Sequence, residues 1–136
     1  MNLPRQAEAP EAAPVRILIV DDANVIRLYY RHLLESSGFE TAEAINGIEG
    51  LEKAFQTRFD LCIVDINMPL MDGHAFLLAL RAEPRTRNLP ALVTSTEAGP
   101  DDRQAAFDAG ADAFLVKPVS SDVLAVHVAA LLGRGR

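Results

Sequence analysis

Four short apolar runs limit what this chain can fold into: VRILIV at 15–20, LCIV at 61–64, ALVT at 91–94 and AFLV at 113–116. Each is too short for a stable helix and is rich in β-branched or large apolar side chains. Near-continuous apolarity over that length is what a strand covered on both faces requires, as inside a parallel sheet. A fifth segment, FETAEA at 39–44, alternates apolar and polar residues and suits an edge strand with one wet face.

Between the runs the apolar period becomes helical. In NVIRLYYRHLLESSG the residues Ile26, Tyr29, Tyr30, Leu33 and Leu34 recur at helical spacing, with Gly38 as terminator. NGIEGLEKAF sets Asn46 and Glu49 in capping-box register ahead of a stripe of Ile48, Leu51 and Phe55. Asp72 caps a pattern carrying Phe76, Leu77 and Leu80. Pro100, Asp101 and Asp102 open another that Gly110 closes, and Val123, Leu124, Val128 and Leu131 mark a last stripe ending at Gly133. Strands and helices in strict alternation predict an α/β domain of (βα)5 type over residues 15–133, a doubly wound parallel sheet with helices on both faces. Residues 1–14, rich in Ala, Pro and Glu, read as a flexible N-terminal lead-in, and 134–136 as a C-terminal tail.

Composition removes several function classes. A net charge of -6 argues against nucleic acid as the main partner, since phosphate backbones are bound by concentrated Lys and Arg. No apolar stretch approaches the ~18 residues of a membrane span, and the N-terminus lacks the basic-then-apolar order of a secretory signal. The lone cysteine, Cys62, rules out an intrachain disulfide and reads as core filler. The expected location is cytoplasmic.

The polar residues at the strand ends carry the chemistry. Val20 is followed by Asp21 and Asp22, Val64 by Asp65, Thr94 by Ser95, and Val116 by Lys117 and Pro118. In an open parallel sheet all strand C-termini lie along one edge, so these groups should meet in one small volume. Three crowded carboxylates demand a proton or a cation, and an all-oxygen donor set suits Mg2+, with Mn2+ as a substitute. A cation beside a lysine is built to receive a dianionic oxygen cluster, and phosphoryl is the obvious candidate. An aspartate can itself attack phosphorus. Asp65, on what should be the central strand, is the best-placed nucleophile, with Ser95 able to hydrogen-bond a phosphoryl oxygen. Singly, each of these residues reads as a turn or cap; their conjunction at four strand ends does not.

VDD at 20–22, VDINMPLMDG at 64–73, PALVTS at 90–95, DAGADAF at 108–114 and VKP at 116–118 together resemble the receiver domains of two-component response regulators, especially the single-domain chemotaxis regulator. The resemblance covers residues 15–132 and implies a flavodoxin-like sheet of strand order 2-1-3-4-5. It also implies that Asp65 is the phosphoacceptor, Asp22 a direct Mg2+ ligand, Asp21 a ligand through water, and Asn67 a ligand through its backbone carbonyl. Ser95 and Lys117 would contact the phosphoryl group, Phe114 would be the switch aromatic, and Lys117-Pro118 a cis peptide. Asn67 and Glu97 would tune how readily water attacks the phosphoryl, and their identities match a short-lived state. Implied partners are a histidine kinase or histidine phosphotransfer protein, and a downstream protein target on the face of the fourth helix, fifth strand and fifth helix, residues 99–132.

With only three residues after the last apolar stripe, the expectation is a stand-alone regulator acting by protein contact or onward phosphoryl transfer. The alternatives are a receiver trimmed from a longer regulator, or a docking module independent of phosphorylation. A haloacid dehalogenase-like phosphohydrolase fits poorly, because its Asp-x-Asp follows the first strand whereas Asp65-Ile66-Asn67 stands mid-chain. A flavodoxin-like cofactor binder fits poorly too, because Asp21 and Asp22 would repel a phosphate. The histidines His32, His74 and His127 receive no role, although His74 is near Asp65 in sequence, and Met68 and Met71 read as packing residues.

Overall fold

The computed structural model describes residues 14–134, so the expected N-terminal lead-in, Pro14 apart, and residues 135–136 of the expected tail lie outside the described residues. Strands β1 (Arg16–Val20), β2 (Glu40–Ala44), β3 (Leu61–Asp65), β4 (Ala91–Ser95) and β5 (Ala113–Val116) alternate with helices α1 (Asn24–Ser36), α2 (Gly47–Gln56), α3 (Gly73–Ala82), α4 (Pro100–Ala109) and α5 (Ser121–Arg134). The strands form one parallel sheet in the order β2-β1-β3-β4-β5. The expected fold class and strand order are therefore observed. β2 lies at the edge and is only partly covered, as its alternation predicts.

Side-chain alternation along the strands feeds two cores. Ile17, Ile19, Leu61, Ile63 and Leu92 face α1 and α5, meeting Tyr30, Leu34, Leu124 and Val128. Leu18, Val20, Cys62, Val64 and Val93 face α2, α3 and α4, meeting Ala54, Phe76, Leu77, Leu80 and Ala106. Because both sheet faces are buried, each strand needs apolar residues at successive positions, which explains the unbroken runs. Burial also pushes the Cys62 thiol up to about 12, so it stays protonated and packs as a small hydrophobe. Among the described residues no helix is long and apolar enough to cross a membrane.

Three helix faces differ from the sequence pattern. In α2 the residues turned to the core are Gly47, Gly50 and Ala54, while Ile48 is about half exposed and Leu51 only partly covered. Close approach is the reason: a Cβ on Gly50 would lie 2.8 Å from the Phe76 ring. In α1 the buried stripe is Arg27, Tyr30 and Leu34, with Tyr29 displaced to the surface, where its hydroxyl donates to the Val119 carbonyl. In α5, Val123 is exposed while Leu124, Val128 and Leu131 are buried, and the helix continues past Gly133 to Arg134. The caps agree with the pattern: the Asn46 and Asp72 side chains accept from the Glu49 and Ala75 N–H groups, and Gly110 closes α4 at φ 119°.

Gly73 brings α3 up against the end of β3. A Cβ there would lie 2.7 Å from the Asp65 carbonyl oxygen and 2.8 Å from the Ile66 Cα, and backbone cannot give way as a side chain can. Gly73→Ala should lower the unfolding free energy by about 1–3 kcal/mol in urea titrations, as overpacking does. A change within about 0.5 kcal/mol, as at an unconstrained surface position, would contradict this packing.

Candidate functional site

Strand register assembles the site. Val20 pairs with Val64, Val64 with Val93, and Asp65 with Thr94, so Asp21, just past β1, comes level with Asp65 and Thr94 at the sheet edge, and Ser95 stands one residue further along. Ser95 pairs with Val116, and the Lys117 N–H bonds the Ser95 carbonyl at 2.8 Å. β1 sits between β2 and β3, so the edge beside Asp21 and Asp65 is the place where strand order reverses.

Asp21 is 1% exposed and Asp65 5%. Asp21 accepts from the Ala23 N–H through Oδ1 at 2.9 Å and from Lys117 Nζ through Oδ2 at 2.9 Å. Lys117 Nζ also lies 3.2 Å from Asp65 Oδ1, so one ammonium bridges two buried carboxylates. Asp22 is exposed, yet its carboxylate completes a set with Asp21 and Asp65 whose oxygens lie within 4.8 Å of one another. Such a set of hard oxygens fits Mg2+, which takes carboxylates and keeps several waters.

The charges do not balance within this cluster. Burial, and after it the charge of Asp21, pushes the Asp65 carboxyl above the usual carboxylate range; Lys117 and the Asn67 N–H offset only part of this. Burial acts to lower Lys117, but the hydrogen bond and charge of Asp21, joined by Asp65, outweigh it and hold the ammonium above the ordinary lysine range. A further cation, or an added group that spreads the charge, would relieve Asp65.

The remaining predicted residues surround this cluster. Ser95 is 1% exposed and its Oγ accepts from the Glu97 N–H at 2.9 Å. Asn67 and Glu97 are exposed at the mouth. Phe114 is 6% exposed, with the Arg103 guanidinium 5.0 Å from its ring centroid. The Lys117-Pro118 peptide is cis. Met68 is in the core beneath the loop and Met71 packs against it. His32 is exposed on α1, and His127 bonds the Val123 carbonyl within its own helix.

Arg27 has no place in the motif reading, but the structure gives it one. It is 9% exposed and donates to the Asp21 carbonyl at 2.8 Å, to Asn24 Oδ1 at 3.0 Å and to Glu43 at 2.9 Å, fixing the backbone of the acidic pair. Its position three residues before Tyr30 and seven before Leu34, on the buried stripe, was the available signal.

The family model of the response regulator receiver domain matches residues 17–129. Among curated proteins, the transcriptional regulatory protein PrrA of Mycobacterium leprae is 43% identical over 119 residues, 88% of this chain and 50% of PrrA; this chain spans about half the length of that relative. Among solved structures, chemotaxis protein CheY4 of Vibrio cholerae has a TM-score of 0.84 at 36% identity, covering 88% of this chain and 99% of that one. The receiver domain of sensor histidine kinase PA1611 from Pseudomonas aeruginosa PAO1, solved with a magnesium ion coordinated in its active site cleft, has a TM-score of 0.83 at 26% identity, covering 89% and 99%.

An acid whose folded-state pKa exceeds its unfolded value holds its proton more tightly when folded. Its contribution to stability is then complete below about pH 3.9 and is lost as pH rises through the folded value. Asp65→Asn should therefore be more stable than the wild type at neutral pH, with the difference closing as pH falls toward about 3.9. Denaturant midpoints measured across that range check this, and a variant less stable at neutral pH would contradict it.

Proposed function

The chain belongs to the response regulator receiver domain family of two-component signalling, and from that premise we propose that it takes a phosphoryl group on Asp65 and changes conformation in response. Receiver domains interact with histidine kinases and downstream targets and are signalling proteins rather than enzymes. The observation that carries the proposal is the buried Asp65 carboxylate, held 3.2 Å from Lys117 and under repulsion from Asp21. An Asp65 oxygen attacks phosphorus, the bond from phosphorus to the donor nitrogen of a kinase or phosphotransfer histidine breaks, and the carboxylate becomes a mixed anhydride.

Asp21, Asp22, Asp65 and the Asn67 carbonyl are the groups that would hold Mg2+, and the donor chemistry fits it. When bound, the ion supplies positive charge against the carboxylates and the phosphoryl oxygens. Lys117 places a second positive charge on the same oxygens. Ser95 turns its hydroxyl toward the phosphoryl, giving up the contact that now caps Glu97 and drawing the β4–α4 loop inward. Phe114 is already buried in this structure, so the movable part of the switch is Ser95 and its loop, and the face over residues 99–132 passes the change to a protein target. Asn67 and Glu97, at the mouth of the site, set how readily water reaches phosphorus.

A module of a longer regulator is the second reading, favoured by the match to only half of PrrA. The same phosphoryl chemistry then serves an attached output domain instead of a diffusible target.

Acetyl phosphate with Mg2+ should label the protein, with the label lost in EDTA and absent from Asp65→Asn, and with decay well short of hours after the donor is removed. Labelling of Asp65→Asn at the wild-type level would show that the acceptor lies elsewhere.

A further inference from the structure

His74 opens the first turn of α3, next to Gly73, whose N–H bonds the Ile66 carbonyl at 2.9 Å. Its Nε2 is buried and, among the described residues, is the buried side-chain polar atom found without a hydrogen-bond partner in the protein. His74 lines a cavity of about 130 Å3 together with Asn67, Ser95, Glu97, Asp102 and Phe114. That space takes several water molecules, and a polar wall is what makes a cavity of this size wet. The acceptors around it differ in availability: Asp102 Oδ2 already takes the Gly99 N–H and Ser95 Oγ the Glu97 N–H. A leucine would fill the same turn against Phe114 and Ile66 without placing a nitrogen where no protein group meets it.

The cavity joins Ser95, proposed above to contact the phosphoryl group, to Asn67 and Glu97, proposed above to set its lifetime. Resting on the assignment of Asp65 as acceptor, we propose that His74 positions the water that hydrolyses the aspartyl phosphate, acting with Asn67 and Glu97. The water oxygen bonds to phosphorus, the phosphorus–oxygen bond to Asp65 breaks, and its electron pair returns to the carboxylate. One water proton stays on the released phosphate and the other leaves to solvent. His74 is a positioning residue in this step: Nε2 hydrogen-bonds the water and orients its lone pair.

The test compares wild type, His74→Leu, His74→Ala and His74→Gln after loading with acetyl phosphate and Mg2+ and removing the donor. Hydrolysis should slow roughly tenfold in the two apolar variants, the rate equivalent of one lost hydrogen bond, and stay within about twofold of wild type in His74→Gln, which returns a polar atom to similar reach. The initial rate of label uptake should match wild type in all of them. Equal rates throughout, or equal slowing in His74→Gln and the apolar variants, would overturn the proposal. So would failure of both apolar variants to fold, since the imidazole would then be a packing residue. A wild type that takes no label would instead overturn the assignment of Asp65, and the role of His74 with it.

Discussion

Two carboxylates buried side by side under one ammonium are the constraint on which the rest of the structure depends. Removing a charge from water costs several kcal/mol unless partners replace the lost hydration, and here Lys117 is shared between Asp21 and Asp65. Each accepts a backbone N–H, and Asp21 is the better satisfied of the two, with the shorter contact to Lys117. Asp65 is left as the carboxylate that gains most from added positive charge or from becoming an ester-like group. The asymmetry between neighbouring acids gives them different parts to play.

Holding such a cluster together requires a frame that does not yield. The frame is the sheet edge, because parallel register places Asp21, just past β1, level with Asp65 and Thr94, with Ser95 next along, and hydrogen bonds continue past the strand ends from Asp21 to Ala44 and from Ile66 to Thr94. Arg27 fastens the Asp21 carbonyl from one sheet face, and Gly73 lets α3 pack against the Asp65 backbone from the other. The two cores therefore stabilise the fold and also resist the repulsion built into the site. At the same edge the β4–α4 connection brings Ser95, Glu97 and α4 up to the cavity beside His74.

Much of this was legible in the residues themselves. Unbroken apolar runs ending at Asp21, Asp65, Ser95 and Lys117 disclose a parallel sheet and the edge at which the site forms, because burial on two faces needs such runs and a parallel sheet gathers its strand C-termini on one side. Helix faces were less legible where backbones come close. Gly47 and Gly50 carry no apolar signal, yet they are what lets α2 approach Met71, Phe76 and Val20, so the apparent stripe through Ile48 points the wrong way. Arg27 was missed for a related reason: a charged residue on a buried stripe is recognisable only when its partners, the Asp21 carbonyl and Glu43, are known. His74 shows the same limit, since nothing in the chain order sets it beside Ser95 and Glu97.

The central claim is that Asp65, alone among the clustered acids, forms the bond to phosphorus. Reductive trapping tests it most directly: borohydride reduces an aspartyl phosphate to homoserine, and peptide mass spectrometry then locates the altered residue after treatment with acetyl phosphate and Mg2+. Homoserine is expected at position 65, with unaltered aspartate at 21 and 22. Reduction at Asp21 or Asp22, or none at any aspartate in a protein that has taken up phosphoryl, would contradict it.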